Sequence, residues 1–527
     1  MSFDVVISGG GPVGLLLAIE LRLNGLAPVV IERLTEPDQT IKAGALHAIT
    51  GEALVRRGLR DQLAAAQLTS IKQMLRMFSG DDEDMSDAEA EAAMRKFAGK
   101  APMGHFAGVF KLDGSRLANV GIPESGSPPL IMVPQPLLEA ALVERAVALG
   151  VELRRGHNLT GLVQDDDGVT VTVDGPDGAY ELRAGYLVGC DGGRSTVRKL
   201  TGFDFPGTDP AITGHQALAV LADPEKLPRG WNRTPTGMLV YGPMPERVLT
   251  VEFDGPPADR DGAVTVEELQ ASLRHVSGTD VTVKEIISAT RFTDNARAAS
   301  SYRNNRVLLA GDAAHVHSPF GGQGLTLGLG DALNLGWKLA AVVRGQAGDD
   351  LLDTYTAERH PVALRVLANT RAQIALMAPG DHTTALRDLF IELMDLDDVN
   401  QYLLEMVGGF GIRYDVGDDH SRAGRFFFDI ALTVDGSHVR FADFCQDGQA
   451  VLLDLADSAD VRAAAAGWPS VRVVRATTDE LPDLAAVLVR PDGYVAWALA
   501  PGVAFDASTL TAALTRWLGA AAVHQPA

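Results

Sequence analysis

Three glycines at fixed spacing, Gly9, Gly11 and Gly14, stand directly after the apolar run Phe3-Asp4-Val5-Val6-Ile7-Ser8, and an acid, Glu32, follows at the end of the next apolar run. This set can hold a dinucleotide. Gly9 permits a tight turn, Gly11 lets the backbone approach a pyrophosphate, and Gly14 lets a helix lie close on a strand. Pro12 and Val13 open that helix, whose free N–H groups face the anion, and Glu32 accepts hydrogen bonds from a ribose. The elements that position these residues are legible. Leu15, Leu16, Ala18, Ile19 and Leu23 recur at helical spacing, Asn24-Gly25 provides a left-handed stop, and Ala27-Pro28-Val29-Val30-Ile31 reads as a second buried strand. The result is a βαβ unit. The fingerprint alone does not separate FAD from NAD(P).

Two further turns carry a carboxylate at the end of an apolar strand. Tyr186-Leu187-Val188-Gly189 leads into Cys190-Asp191-Gly192-Gly193-Arg194-Ser195, and Arg306-Val307-Leu308-Leu309-Ala310 leads into Gly311-Asp312-Ala313-Ala314-His315. The C-terminal ends of parallel strands are where α/β sheets bind ligands. A fourth stretch, Ser318-Pro319-Phe320-Gly321-Gly322-Gln323-Gly324-Leu325-Thr326, puts small residues and a proline before a long helix. Backbone there can lie against a flat ring, and the positive helix end favours negative charge.

The three turns in this order resemble the FAD-binding fold of the single-component flavin-dependent aromatic monooxygenases, the para-hydroxybenzoate hydroxylase-like family. Within it, the chain is similar to bacterial hydroxylases of aromatic polyketides, including rifampicin monooxygenases. The resemblance is strongest at residues 3–34, 186–202 and 306–361, with Asp353-Thr354-Tyr355 and Glu358-Arg359-His360-Pro361. It implies that Gly9, Gly11, Pro12, Val13 and Gly14 hold the FAD pyrophosphate and Glu32 the ribose, with Arg33 beside it. It implies that Asp312 binds the ribityl chain, that Gln135 lies near the flavin, and that Asp191 serves both FAD and the approach of NADPH or NADH. Pro319, Gly322, Gly324, Leu325 and Thr326 would surround the reactive flavin, with the Pro319 backbone the candidate catalytic environment. Two positions depart from the family. Thr326-Leu327-Gly328 replaces Asn-Thr-Gly, and Lys42 stands where relatives place Arg, keeping the charge but losing the planar fork.

The fold class expected is α/β, a Rossmann-like FAD-binding domain with an inserted α+β substrate domain and a C-terminal thioredoxin-like domain. The FAD-binding domain takes residues 1–75, 104–204 and 288–400, the substrate-binding domain 76–103 and 205–287, and the C-terminal domain 408–527. Helices are expected over Tyr355–Met377 and Thr383–Met406, and the acidic stretch from Gly80 to Lys100 reads as a solvated helix or excursion. Met238, Tyr241, Phe253, Phe292 and Phe320 are named, as a group, as candidates to line a substrate pocket.

Composition narrows the partners. The 527 residues carry 46 Lys plus Arg against 68 Asp plus Glu, a formal charge of −22, which disfavours nucleic acid and anionic membrane surfaces. Two cysteines, Cys190 and Cys445, make neither a disulfide framework nor a zinc site, so a cytoplasmic setting is expected. No apolar stretch reaches the roughly 18 residues of a membrane span. The C-terminal region holds Cys445 without a partner thiol, and reads as structural or as an assembly surface rather than redox-active. His315 and His317 read as buried, hydrogen-bonded histidines rather than metal ligands, His360 as a helix-boundary residue, and Glu358 with Arg359 as a structural ion pair.

The resemblance therefore implies a monooxygenase in which NAD(P)H reduces bound FAD and O2 gives a flavin C4a-hydroperoxide that hydroxylates a phenolic, polycyclic, polyketide-type aromatic. Alternatives are Baeyer–Villiger oxygen insertion or ring cleavage on a similar substrate, and a flavin-binding interaction protein without turnover. A monomer or homodimer fits either reading.

Overall fold

The computed structural model describes residues 3–38, 40, 43–79, 85–90, 92, 104–115, 130–242, 246–260 and 262–521. Lys42 and most of the stretch from Gly80 to Lys100 lie outside the described residues.

A parallel sheet forms the base of the molecule, in the order Val307–Leu309, Gly178–Gly189, Phe3–Ser8, Pro28–Glu32, Glu152–Arg155. Its middle strands are apolar on both faces because both are covered: Val5, Ile7, Val29, Val30, Leu187 and Val188 are buried. The long strand Gly178–Gly189 belongs to two structures. Its first half pairs antiparallel with Val169–Gly175, which pairs with Asn158–Gln164, and there inward and outward residues alternate. Its second half, Tyr-Leu-Val-Gly, enters the parallel core. The helix Pro12–Leu23 packs between the helices Gly324–Val343 and Gln135–Ala148.

The second sheet is antiparallel, in the order Gly230–Thr234, Gly237–Tyr241, Arg247–Glu252, Thr213–Leu221, Val283–Phe292. Strand parity divides its faces. Leu239, Tyr241 and Val248 meet the helix Val266–Ser277, while Met238, Val240, Leu249 and Val251 join Phe320 and the helices Asp381–Leu393 and Asp397–Gly408. The segment Gly104–Ser115, expected in the FAD-binding domain, packs on this second face through Phe106, Val109 and Leu112.

Two helix expectations need correction. Thr383–Met406 is not continuous: Leu396 is extended (ψ 133°), and Asp397 and Asp398 open a new first turn where acids are favoured. His360 is not a boundary either. The helix Asp353–Met377 runs through Pro361, because Pro361 and Ala357, whose carbonyl loses its partner, are both exposed.

The C-terminal domain has the strand order Val471–Arg475, Ala450–Asp454, Ala486–Val489, Val495–Leu499, with the first pair parallel and the others antiparallel. Helices Ala459–Ala465 and Ala507–Leu518 complete a βαβ–ββα, thioredoxin-like arrangement. Buried charge fastens it to the rest. Arg490 donates to both oxygens of Glu358 (2.6 and 2.9 Å), Lys338 Nζ lies 2.7 Å from Glu358, and Asn334 bridges Glu358 and Asp492. Cys445 is buried, with its thiol pushed up by that burial.

Candidate functional site

The glycine-rich turn is built by backbone contact. Gly9 has φ 111°, and a β-carbon there would stand 2.3 Å from the Cys190 carbonyl oxygen, so the first turn is pressed against the second. A β-carbon at Gly14 would lie 2.0 Å from the Gly9 carbonyl oxygen. At Gly11, nothing comes within 4 Å: the space before it is open. The helix Pro12–Leu23 starts there without a side-chain cap, so its first N–H groups are available to a ligand. Glu32 accepts from the N–H groups of Gly10 (2.7 Å) and Leu34 (2.8 Å), which fixes its carboxylate beside the turn and leaves lone pairs for a ribose. Arg33 is exposed.

In the second turn the carboxylate is engaged by the chain itself. Asp191 accepts from Ser195 Oγ and from the N–H groups of Thr196 (2.7 Å) and Val197 (3.1 Å), so its carboxylate starts the helix Thr196–Thr201. The third turn leaves its acid free. Asp312 is exposed on the short turn Gly311–Ala313 and makes no hydrogen bond among the described residues, while Gly311 and Gly328 both close on Val13 and bring this turn to the first.

Pro319 and Gly322 are exposed, and Gly322 N–H donates to the Pro319 carbonyl (3.1 Å). The helix Gly324–Val343 begins uncapped because the Gln323 side chain turns away and donates to the carbonyls of Met406 (2.9 Å) and Val407 (3.2 Å). Leu325 and Thr326 lie in its first turn, and the Thr326 hydroxyl is buried without a partner. Gln135 N–H donates to the Ala43 carbonyl (2.9 Å), which ties the start of its helix to the loop before His47.

These residues suit FAD. Two uncapped helix ends, the open face of Gly11 and the unengaged Asp312 carboxylate answer a diphosphate, a hydroxyl-bearing chain and a ring system that becomes anionic. The description FAD binding domain matches residues 2–370, and aromatic-ring hydroxylase, C-terminal, matches residues 420–521. The chain belongs to the FAD-dependent aromatic-ring hydroxylases. It is 40% identical to a 12-dehydrotetracycline 5-monooxygenase/anhydrotetracycline 6-monooxygenase of Streptomyces rimosus, over 98% of this chain and 99% of that one. It is 41% identical to a rifampicin monooxygenase of Streptomyces venezuelae, with the same two coverages. The solved anhydrotetracycline hydroxylase of Streptomyces rimosus superposes with a TM-score of 0.84 at 39% identity, covering 99% of this chain and 100% of that one. This aromatic-ring hydroxylase is an FAD-dependent monooxygenase with NAD(P)H as reductant.

Beside the loop 318–323, which the resemblance sets against the flavin, stands an aromatic wall. Phe320 packs edge-on against Phe292 (5.9 Å between centroids) and Trp231 (6.2 Å), and Trp231 lies 4.2 Å from His105 and 5.9 Å from Phe110. Met238 and Phe253 belong to the same cluster. Tyr241, named with them from sequence, does not: it lies on the other face of its sheet, under the helix Val266–Ser277. Trp231, His105 and Phe110 went unnamed. The turn between Arg233 and Met238 makes a hairpin in which Trp231 pairs with Val240, so hairpin parity puts Trp231 on the Met238 face. His105 Nδ1 accepts the Gly108 N–H (3.1 Å), and burial lowers the ring to about 4. It is neutral at pH 7, with its proton on Nε2.

His315 is bonded to Asp331 (2.7 Å) and His317 Nδ1 lies 2.7 Å from the Ser318 carbonyl. Glu358 and Arg359 do not pair with each other. Successive helix residues point about 100° apart, so Glu358 meets Lys338 and Arg490 while Arg359 meets Asp331 and Tyr414. Among the described residues, no helix is long and apolar enough to cross a membrane.

Proposed function

We propose that the chain hydroxylates a phenolic, polycyclic aromatic of polyketide type, held between the flavin loop and the aromatic wall. One observation carries this reading: Phe320 follows Pro319 directly in the flavin loop and is also a member of the wall formed with Phe292, Trp231 and Met238. A flat apolar substrate lying on that wall meets the cofactor without leaving it. The relatives named for tetracycline precursors and for rifampicin act on molecules of that class.

The chemistry FAD supplies when bound is electron uptake from NAD(P)H and activation of O2. Gly9, Gly11, Gly14, Glu32 and Asp312 would hold it. The uncapped end of Gly324–Val343 favours negative charge on a ring beside it. Trp231, Met238, Phe292 and Phe320 exclude water, and the neutral His105, donating through Nε2, can hold a substrate oxygen in place. The test is NAD(P)H oxidation by the purified yellow protein under ¹⁸O2 with a panel of phenolic polycyclic compounds. Faster oxidation with one ¹⁸O in a hydroxylated product is expected; oxidation that no phenol accelerates, with no labelled product, overturns the proposal.

A further inference from the structure

A cavity of about 270 Å³ lies where the first half of the helix Gly324–Val343 and the segment Glu405–Tyr414 meet the C-terminal domain, which contributes Phe426, Asp492 and Tyr494. Gly9, Gly11, Glu32, Asp312 and Pro319 do not line it, whereas Gln323 and Thr326 do, so it adjoins the groove that fits FAD only at the start of the helix Gly324–Val343. Leu327, Leu333, Val366 and Ile412 give it an apolar lining, to which Tyr414 and Tyr494 add a tilted ring pair with centroids 4.3 Å apart.

Polar groups are few in its lining. The Thr326 hydroxyl is buried and unpartnered. Arg365 and Arg413 are exposed, and neither pairs with a carboxylate among the described residues. Arg365 lies over the Tyr402 ring, and Arg413 donates to the carbonyls of Ala423 and His420. The acids in the wall are engaged: Asp492 by Arg490, and Glu405 by Gln401. Arg365 and Arg413 thus offer two guanidinium groups without a carboxylate partner among the described residues, beside the engaged acids Glu405 and Asp492.

We propose that this interdomain cavity binds a small aromatic carboxylate. The flat ring lies against the apolar lining, the carboxylate meets the planar forks of Arg365 and Arg413, and a hydroxyl substituent reaches Thr326. Pockets between domains with an apolar lining and a few convergent polar groups are favoured ligand sites. This gives the C-terminal domain, whose one cysteine is the buried Cys445, a part in recognition.

Isothermal titration of the FAD-loaded full chain with 6-hydroxy-2-naphthoate tests it, with 2-naphthol as the neutral comparison. A saturable naphthoate site that persists in Met238→Trp is expected, at least tenfold weaker for 2-naphthol and for the Arg365→Gln/Arg413→Gln variant, and partly restored in Arg365→Lys/Arg413→Lys. Arg365→Gln alone, on the exposed helix face, is expected to weaken binding without loss of FAD. Met238→Trp, which fills the aromatic wall, is expected to leave the site intact. Absence of binding, or binding that Met238→Trp abolishes and the arginine variants leave unchanged, overturns the proposal.

Discussion

Gly14 lies against the carbonyl oxygen of Gly9 so closely that a β-carbon would come within 2.0 Å of it, whereas Gly11, three residues earlier than Gly14, faces open space. One signature thus contains two mechanical roles. Gly14→Ala is expected to destabilise the FAD-free protein by ~2–4 kcal/mol, because the helix must move off the strand. Gly11→Ala is expected to cost at most about 1 kcal/mol and to weaken FAD instead. Urea unfolding of the FAD-free variants, set beside FAD titration, separates the two.

Asp312 is exposed and bonds to nothing else described. Asp312→Ala is therefore expected to leave the urea midpoint of the FAD-free protein unchanged while FAD affinity drops at least tenfold. Asp191→Ala is expected to do the reverse, since its carboxylate caps a helix, at about 1 kcal/mol.

The two faces of the antiparallel sheet make a paired prediction. Trp231→Ala on the wall is expected to weaken a phenolic polycyclic ligand at least tenfold, read from flavin absorbance on titration. Tyr241→Phe, beneath the helix Val266–Ser277, is expected to leave that affinity unchanged.

Burial holds His47 and His105 neutral, lowering each from 6.5 to about 4. Between these values the unfolded chain binds protons that the folded chain refuses, so stability is full above pH 6.5 and falls as the pH drops towards 4. The slope approaches about 1.4 kcal/mol per pH unit for each histidine. Urea midpoints at pH 6.5, 5.5 and 4.5 check this, and His105→Phe should show a shallower loss.

The nucleotide-binding half of the fold was legible because its signals are local: a strand, three glycines, a helix and an acid within the first 32 residues. Asp191 and Asp312 looked alike in sequence, each an acid in a Gly turn. They differ because Ser195, Thr196 and Val197 follow the first as a helix start that takes its carboxylate, while the second has no such acceptor-seeking turn. Tyr241 was misplaced by parity, since one residue along a strand changes the face. Phe106 and His105 were hidden because their ring partners, Phe390 and Trp231, lie more than a hundred residues away, and nothing local in 104–115 announces that contact. The same distance hid the ion pair from Glu358 to Arg490.

That ion pair reaches across two domains in a buried interface. Arg490→Met would leave Asp492 without its guanidinium and Glu358 with Lys338 as its remaining cation, and is expected to cost ~3–5 kcal/mol in urea unfolding; Glu358→Gln in the same chain should recover part of it.

The consequence is for inheritance. A cassette boundary drawn near residue 410, swapping the last hundred residues between hydroxylases of differing selectivity, would sever a lock whose two halves must be transplanted together. Chimeras that carry Lys338, Glu358, Arg490 and Asp492 as a set should fold; those that split the set should arrive as aggregates.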